Sequence, residues 1–340
     1  MATGDLKLYL LENVEGDIVY ATTLAPLRLG GLSNPNMGSI SLTLPAPREA
    51  VINRVLLEMG IVSREYPERM RWRLWFDGIA VSREYRPKSI AELGHDEGYY
   101  SKAVFDITPI FDKSRDVHEI TVAYEGSNPI TVEHVGMLSV YRVPDSRISY
   151  AFLSGALALR PGETYRIGVR VSKLEEATQA TFRTIISLPG KDSSVEIQVN
   201  SVSKRVIEGR MGVEEVLMDD IPVADAYTIQ VAHTHGSKPL KISTMIVAVA
   251  QRILPDIVFR SVERLEDRVR VRLANSGASK PERVMLLVIV PGEHIERVEV
   301  EPLEPGEERE VEVKAPKGKR VTLRVVWVKH GKPYQREVRA

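Results

Sequence analysis

The sequence predicts an all-β chain built from tandem antiparallel β-sandwiches. Three observations carry that reading: a two-residue alternation of apolar and polar side chains, closely spaced Pro and Gly turns, and an internal repeat. Alternation is strict through Ile40-Ser41-Leu42-Thr43-Leu44, Val269-Arg270-Val271-Arg272-Leu273 and Val311-Glu312-Val313. Successive side chains of a strand point to opposite faces, so each run describes a strand with one buried and one wet face. Turn dipeptides punctuate these runs at Pro144-Asp145, Pro161-Gly162, Pro189-Gly190, Pro291-Gly292 and Pro305-Gly306, the chemistry that reverses a chain between neighbouring strands. Helical patterning is confined to weak candidates at Ser89 to Leu93 and Gly212 to Leu217. The long crossovers of a parallel nucleotide-binding sheet are missing.

Self-similarity places the module boundaries. Ile120-Thr121-Val122-Ala123-Tyr124 matches Ile229-Gln230-Val231-Ala232-His233, and each is followed by a Gly-Ser-x-Pro turn, Gly126 to Pro129 and Gly236 to Pro239. A long apolar strand comes next in both, ending at Arg142-Val143-Pro144-Asp145 and at Arg252-Ile253-Leu254-Pro255-Asp256. Upstream, Trp72 to Gly78 aligns with Val195 to Ser201, which puts Asp77-Gly78 and Asn200-Ser201 at the same hairpin turn. The expected modules are residues 1–145, a related copy at 146–256, and a third of another kind at 257–340.

Length and composition agree. A chain of 340 residues accommodates two or three modules of roughly 100–150 residues. With 43% apolar and 27% charged residues, each can bury a core. No apolar run reaches the roughly 18 residues of a membrane helix, and the first residues lack a secretory pattern; the expectation is no membrane insertion, with a cytoplasmic location if Met1 is the native start. The absence of Cys removes disulfides, thiolate metal sites and cysteine nucleophiles. Arg and Glu are abundant where Asn and Gln are scarce, a bias that suits a thermostable protein. The net charge of zero is unevenly spread: residues 1–145 hold 15 basic against 20 acidic side chains, and residues 257–340 hold 18 against 14. Such a gradient can assist head-to-tail self-association, whereas the mild C-terminal excess, interspersed with Glu, gives no nucleic-acid footprint.

From Pro255-Asp256-Ile257-Val258 onward, through Val269 to Leu273, Ala274-Asn275-Ser276-Gly277, Leu303-Glu304-Pro305-Gly306-Glu307-Glu308 and Val321 to Val326, the chain resembles the CARDB module, a cell-adhesion-related immunoglobulin-like domain. The first module, through Arg54-Val55-Leu56-Leu57, Leu74-Trp75-Phe76-Asp77-Gly78, Val104-Phe105-Asp106-Ile107-Thr108 and Ile120-Thr121-Val122, resembles an uncharacterised jelly-roll-like domain that precedes CARDB modules in surface proteins. These resemblances imply two jelly-roll-like modules, an immunoglobulin-like spacer, an extracellular or cell-surface location, and no catalytic residues.

Site candidates follow from the same periodicity. On the strand around Trp72-Arg73-Leu74-Trp75-Phe76, Trp72, Leu74 and Phe76 share one face, leaving Arg71, Arg73 and Trp75 on the other. A Trp beside two Arg can stack on a sugar ring or anchor a protein partner. Tyr99 and Tyr100 extend this contact candidate from the Gly94-to-Tyr100 loop. For a metal, His233 and His235 stand two apart and would share a strand face, and Asp96, Glu97 and Asp106 supply carboxylates that Ca²⁺ favours. No set is complete, and the expectation is no cofactor. No Gly-x-Ser-x-Gly elbow or phosphate loop is present, Leu29-Gly30-Gly31-Leu32 being too short. The sequence therefore predicts a non-enzymatic structural or adhesive protein that joins itself or another surface protein. The alternatives are a carbohydrate-binding protein and an accessory subunit of a hydrolase.

Overall fold

The computed structural model describes residues 2–44, 50–82, 87–94, 97–172, 174, 177–219, 221–290 and 295–339. It is all β with several antiparallel sheets, and the chain divides into two compact units, residues 1–251 and 252–340.

The first unit contains β1 (Thr3–Glu15), β2 (Asp17–Thr23), β3 (Leu27–Leu29), β4 (Met37–Thr43), β5 (Val51–Ser63), β6 (Trp72–Phe76), β7 (Ile79–Ser82), β8 (Ser89–Gly94), β9 (Gly98–Asp106), β10 (Val117–Tyr124) and β11 (Ile130–Arg142). It continues with β12 (Ser146–Leu159), β13 (Thr164–Arg170), β14 (Gln179–Leu188), β15 (Ser194–Val199), β16 (Ser203–Glu208), β17 (Gly212–Met218), β18 (Ala226–His235) and β19 (Leu240–Arg252). Two sandwiches emerge with the same strand order. One pairs β2-β11-β5-β9 over β4-β10-β6-β7; the other pairs β12-β19-β14-β17 over β13-β18-β15-β16. Numbered along each copy, both read 1-8-3-6 over 2-7-4-5, the connectivity of two interlocked Greek keys in an eight-stranded jelly roll.

The repeat extends to individual turns. Asp77 and Gly78 both have positive φ, as do Asn200 and Ser201, the mirror-image turn that matches strand twist. The Asp77 N–H donates to Glu119 O at 2.8 Å and the Asn200 N–H to Thr228 O at 2.9 Å. Their side chains return the contact: Asp77 Oδ1 accepts from Glu119 N, and Asn200 Oδ1 from Thr228 N.

The boundary expected at 145/146 is crossed by β1, which pairs with β12 from Thr3↔Ala158 to Glu15↔Arg147 and so extends the second roll's sheet. The two 1-8-3-6 sheets also share a core: Tyr20, Leu138 and Val140 of the first roll are buried with Tyr150, Phe152 and Ile246 of the second. This explains the near-continuous apolar runs of β11, β12 and β19, which are covered on both faces. The outer layer of each roll encloses its own core, with Trp72, Leu74 and Phe76 inside the first and Val195, Ile197 and Val199 inside the second. Both helix candidates are strands. Ser89, Ala91 and Leu93 alternate inward along β8, which edges β9, and Gly212 to Leu217 belong to β17, the edge beside β14. These short segments find hydrogen-bond partners at open sheet edges, which a two-turn helix lacks.

The second unit is a three-on-four sandwich of seven strands: β20 (Ile257–Arg264), β21 (Arg268–Asn275), β22 (Arg283–Ile289), β23 (Ile295–Val300), β24 (Glu308–Lys314), β25 (Thr322–Lys329) and β26 (Lys332–Arg339). The orders β20-β21-β24 and β23-β22-β25-β26 are immunoglobulin-like. Asn275 staples its loops: Oδ1 accepts from Asp256 N and Gly277 N, and Nδ2 donates to Ser279 O and Leu303 O. Gly277 is demanded by space, since a Cβ there would sit 2.3 Å from Asp256 N. Charged side chains of this unit form cross-strand pairs, with Arg270 reaching Glu312 at 2.9 Å and Glu310 at 3.3 Å. Among the described residues no helix is long and apolar enough to cross a membrane.

Candidate functional site

On the outer sheet of the first roll, alternation along β6 sets Trp72, Leu74 and Phe76 into the core and leaves Arg71 and Arg73 exposed with Trp75 half-buried. Small neighbours keep this face open: Arg73 pairs with Ala123 of β10, and Trp75 lies between Thr121 of β10 and Ala80 of β7. The result is a depression of about 850 Å³. Along one side runs the row Arg71, Arg73 and Trp75, continued by Arg69 from the one-turn 3-10 segment Pro67–Arg69. The Arg71 end is lined by Glu65, Tyr124 and Glu125, Tyr124 pairing with Trp72, and Met37 closes the β4 side.

Tyr124 is 1% exposed, and its hydroxyl is buried without a hydrogen-bond partner among the described residues. Its ring lies between Gly30 and Gly126, where a Cβ would fall within 2.5 and 1.9 Å of ring carbon and hydroxyl oxygen respectively. Burial and the Glu65 carboxylate push the Tyr124 phenol above its ordinary pKa, so it is a neutral donor at physiological pH. The guanidinium groups of Arg69, Arg71 and Arg73 have no ion pair with a described residue. The arrangement offers an aromatic face, free bidentate donors and two carboxylate acceptors on a shallow, exposed floor.

The remaining contact candidates fall elsewhere. Tyr99 packs edge-on against Tyr66, with centroids 5.3 Å apart, beside the rim and not on the floor. Tyr100 is corrected to a core residue: neighbouring side chains on a strand face opposite ways, and this one is 1% exposed, packed with Ala91, Leu93 and Ala156.

The metal candidates do not converge. A register step between Val195↔His233 and Ser194↔His235 breaks the alternation at Thr234, so His233 is buried and His235 exposed. His233 occupies the place of Tyr124 in the second roll, with Nδ1 2.9 Å from Leu159 O and Nε2 facing Gly236. Glu97 is paired with Lys238 at 2.6 Å, while Asp106 accepts from the backbone and hydroxyl of Thr108. These carboxylates flank opposite ends of β9, about 30 Å apart for nine strand residues, too far to share an ion. Asp96 lies outside the described residues. Among the described residues no group of three or more His, Asp or Glu can hold a metal.

A second constellation, absent from the sequence reading, sits between the rolls. The Glu58 carboxylate accepts from Tyr20 Oη and Thr244 Oγ1 at 2.5 Å and from Ser154 Oγ at 2.6 Å, with Lys102 Nζ at 3.1 Å. Lys102 Nζ also donates to His134 Nε2 at 2.7 Å. Burial opposes the Glu58 charge, but the neighbouring Lys102 charge and the Ser154 hydrogen bond prevail and hold its carboxyl well below the ordinary carboxylate range. Burial lowers Lys102 to about 8 against the upward pull of Glu58. Burial and the Lys102 charge lower His134, keeping the imidazole neutral. Acid, base and hydroxyl groups are in contact here, yet Glu58 and Lys102 are wholly shielded from solvent. The cluster joins strands of both rolls through Ser154 and Thr244. Its sequence signal was a lone charge inside an apolar run, Leu56-Leu57-Glu58-Met59.

No family model matches the chain, and no curated protein matches it. Among solved structures, it is similar to the β-glucuronidase of Ruminococcus gnavus at 11% identity and a TM-score of 0.21, over 54% of this chain and 36% of that one. The Lactobacillus rhamnosus β-glucuronidase matches at the same identity, TM-score and share of this chain, over 35% of its own length. N-glycanase F matches at 12% identity and a TM-score of 0.26, over 68% of this chain and 95% of that one. The chain spans about a third of the length of the two glucuronidases.

Proposed function

We propose that this protein is a non-catalytic glycan-binding protein of adhesive type, with the outer face of the first jelly roll as its contact surface and the immunoglobulin-like unit as a spacer or docking module. The observation that carries the reading is the row of exposed Arg71 and Arg73 with half-buried Trp75 over a depression floored by small side chains. Sugar rings present C–H faces that stack on an indole, and their hydroxyls match Arg and Glu at the rim. The most perturbed acid-base groups, by contrast, are sealed between the rolls, which favours binding over turnover. A glycan array probed with the intact protein tests this: Trp75→Ala should abolish the signal while the melting curve stays in place. Full array binding by that variant would defeat the reading.

Self-association is a second reading, favoured by one feature. Val206 on β16, Met211 in the connecting turn and Leu217 on β17 are exposed together along one edge of the second roll, where both strands end their sheets. Analytical ultracentrifugation of wild type and Met211→Glu tests it; a concentration-independent monomer in both would reject it.

A further inference from the structure

We infer that the saccharide taken by this face is anionic, carrying carboxylate or sulfate groups that seat on Arg71 and Arg73 while a neighbouring ring lies on Trp75. The inference rests on the glycan-binding reading and specifies its ligand. Arg71 and Arg73 are two residues apart along an extended segment, so their Cα atoms stand roughly 7 Å apart and their side chains leave the same face. Trp75 continues the row, giving a strip of about 13 Å over four residue steps, long enough to meet successive units of a chain.

Clustered charge is what marks this strip. Several arginines elsewhere are engaged, among them Arg54 with Glu12 at 2.7 Å, Arg183 with Glu215 at 3.0 Å and Arg210 with Glu214 at 2.8 Å. Here three adjacent guanidinium groups have no ion partner among the described residues, although Glu65 and Glu125 line the same depression. Arg donates and never accepts, and its planar fork fits a carboxylate or sulfate through two parallel bonds. A neutral sugar leaves those forks half used. Glu65 and Glu125 line the Arg71 end of the depression, away from Trp75. The residues around it are acidic overall, 20 acidic against 15 basic in 1–145; attraction to the anion is therefore local to the strip and not a general property of the module.

The test is calorimetric titration of the full chain with three probes: an oligogalacturonate, the same oligomer as its neutral methyl ester, and a heparin oligosaccharide. The expected result is binding of at least one acidic probe, roughly tenfold or more tighter than the ester. Arg71→Gln with Arg73→Gln should weaken the acidic probe about tenfold or more and weaken the ester by clearly less, whereas Trp75→Ala should weaken both. Binding of heparin without oligogalacturonate assigns the anion as sulfate, the reverse as carboxylate. Equal affinity for acid and ester, indifferent to both Arg substitutions but lost in Trp75→Ala, overturns the anionic assignment and leaves glycan binding standing. Binding of no probe by a folded protein overturns both. Arg71 and Arg73 are exposed, so thermal melting of the double variant serves as the folding control.

Discussion

Replacing Lys102 by Met should destabilise the two-roll unit by about 3–5 kcal/mol, the usual cost of leaving one member of a buried ion pair without its partner. The size follows from what remains around Glu58. Three hydroxyl donors, Tyr20, Thr244 and Ser154, would still reach the carboxylate, but the only full positive charge in contact with it among the described residues would be gone, because His134 is held neutral. For a unit of this size the loss corresponds to a fall in melting temperature of roughly 6–20 °C. Adding Glu58→Gln to Lys102→Met removes the stranded charge and should restore part of the stability, with a coupling energy of about 1–3 kcal/mol in the double-mutant cycle. Urea unfolding followed by tryptophan fluorescence measures all four corners. A Lys102→Met protein within about 1 kcal/mol of wild type, or a double variant no better than the sum of the singles, would refute the claim that this cluster locks the rolls.

The same pair gives pH dependence of two signs. The Glu58 carboxyl titrates lower in the folded protein than its ordinary 4.5, so its contribution is present above that value and is lost as pH falls below it; the acid limb should flatten in Glu58→Gln. Lys102 titrates near 8 when folded against an ordinary 10.5, so the unfolded chain binds more protons between those values and stability should rise with pH across them, a slope absent from Lys102→Met. Gly136→Ala would put a Cβ 2.2 Å from Tyr20 Oη and 2.8 Å from Glu58 Oε1, and should cost about 1–3 kcal/mol by displacing Tyr20 from the carboxylate; unchanged urea unfolding would contradict that. In the second unit, Asn275→Ala strips four hydrogen bonds from buried loop backbone and should cost about 3 kcal/mol, read as a lowered melting transition of that unit.

Much of the architecture was legible because period two and turn chemistry are local. Asp77-Gly78 and Asn200-Ser201 announced the same left-handed turn from residue type alone, and both adopt it. The row Arg71, Arg73 and Trp75 was legible for the same reason, since alternation against buried Trp72, Leu74 and Phe76 leaves them no other side. What alternation cannot specify is the partner. β1 carries a strand pattern but pairs with β12, across the boundary that the repeat suggests. The apolar runs of β11 and β19 signalled burial without saying that a second sheet covers them. Glu58 and Lys102 look like solvent positions until a sheet from the other copy closes over them, bringing Thr244 from 186 residues away. Glu65, Arg69, Tyr124 and Glu125 reach the depression from the ends of separate elements, a convergence with no fixed spacing in sequence. Tyr99 and Tyr100 were read as a pair, and their adjacency is what forces one of them inside.

The glycan-binding claim turns on Trp75, and the protein carries its own probe there. Of its three tryptophans, Trp72 and Trp327 are 2% and 5% exposed and Trp75 alone is partly exposed. Titrating the intact chain with an oligogalacturonate and a heparin oligosaccharide while following tryptophan emission should give a saturable change with at least one of them, and none in Trp75→Ala. Emission that stays flat with both, or shifts equally in the variant, would contradict the account.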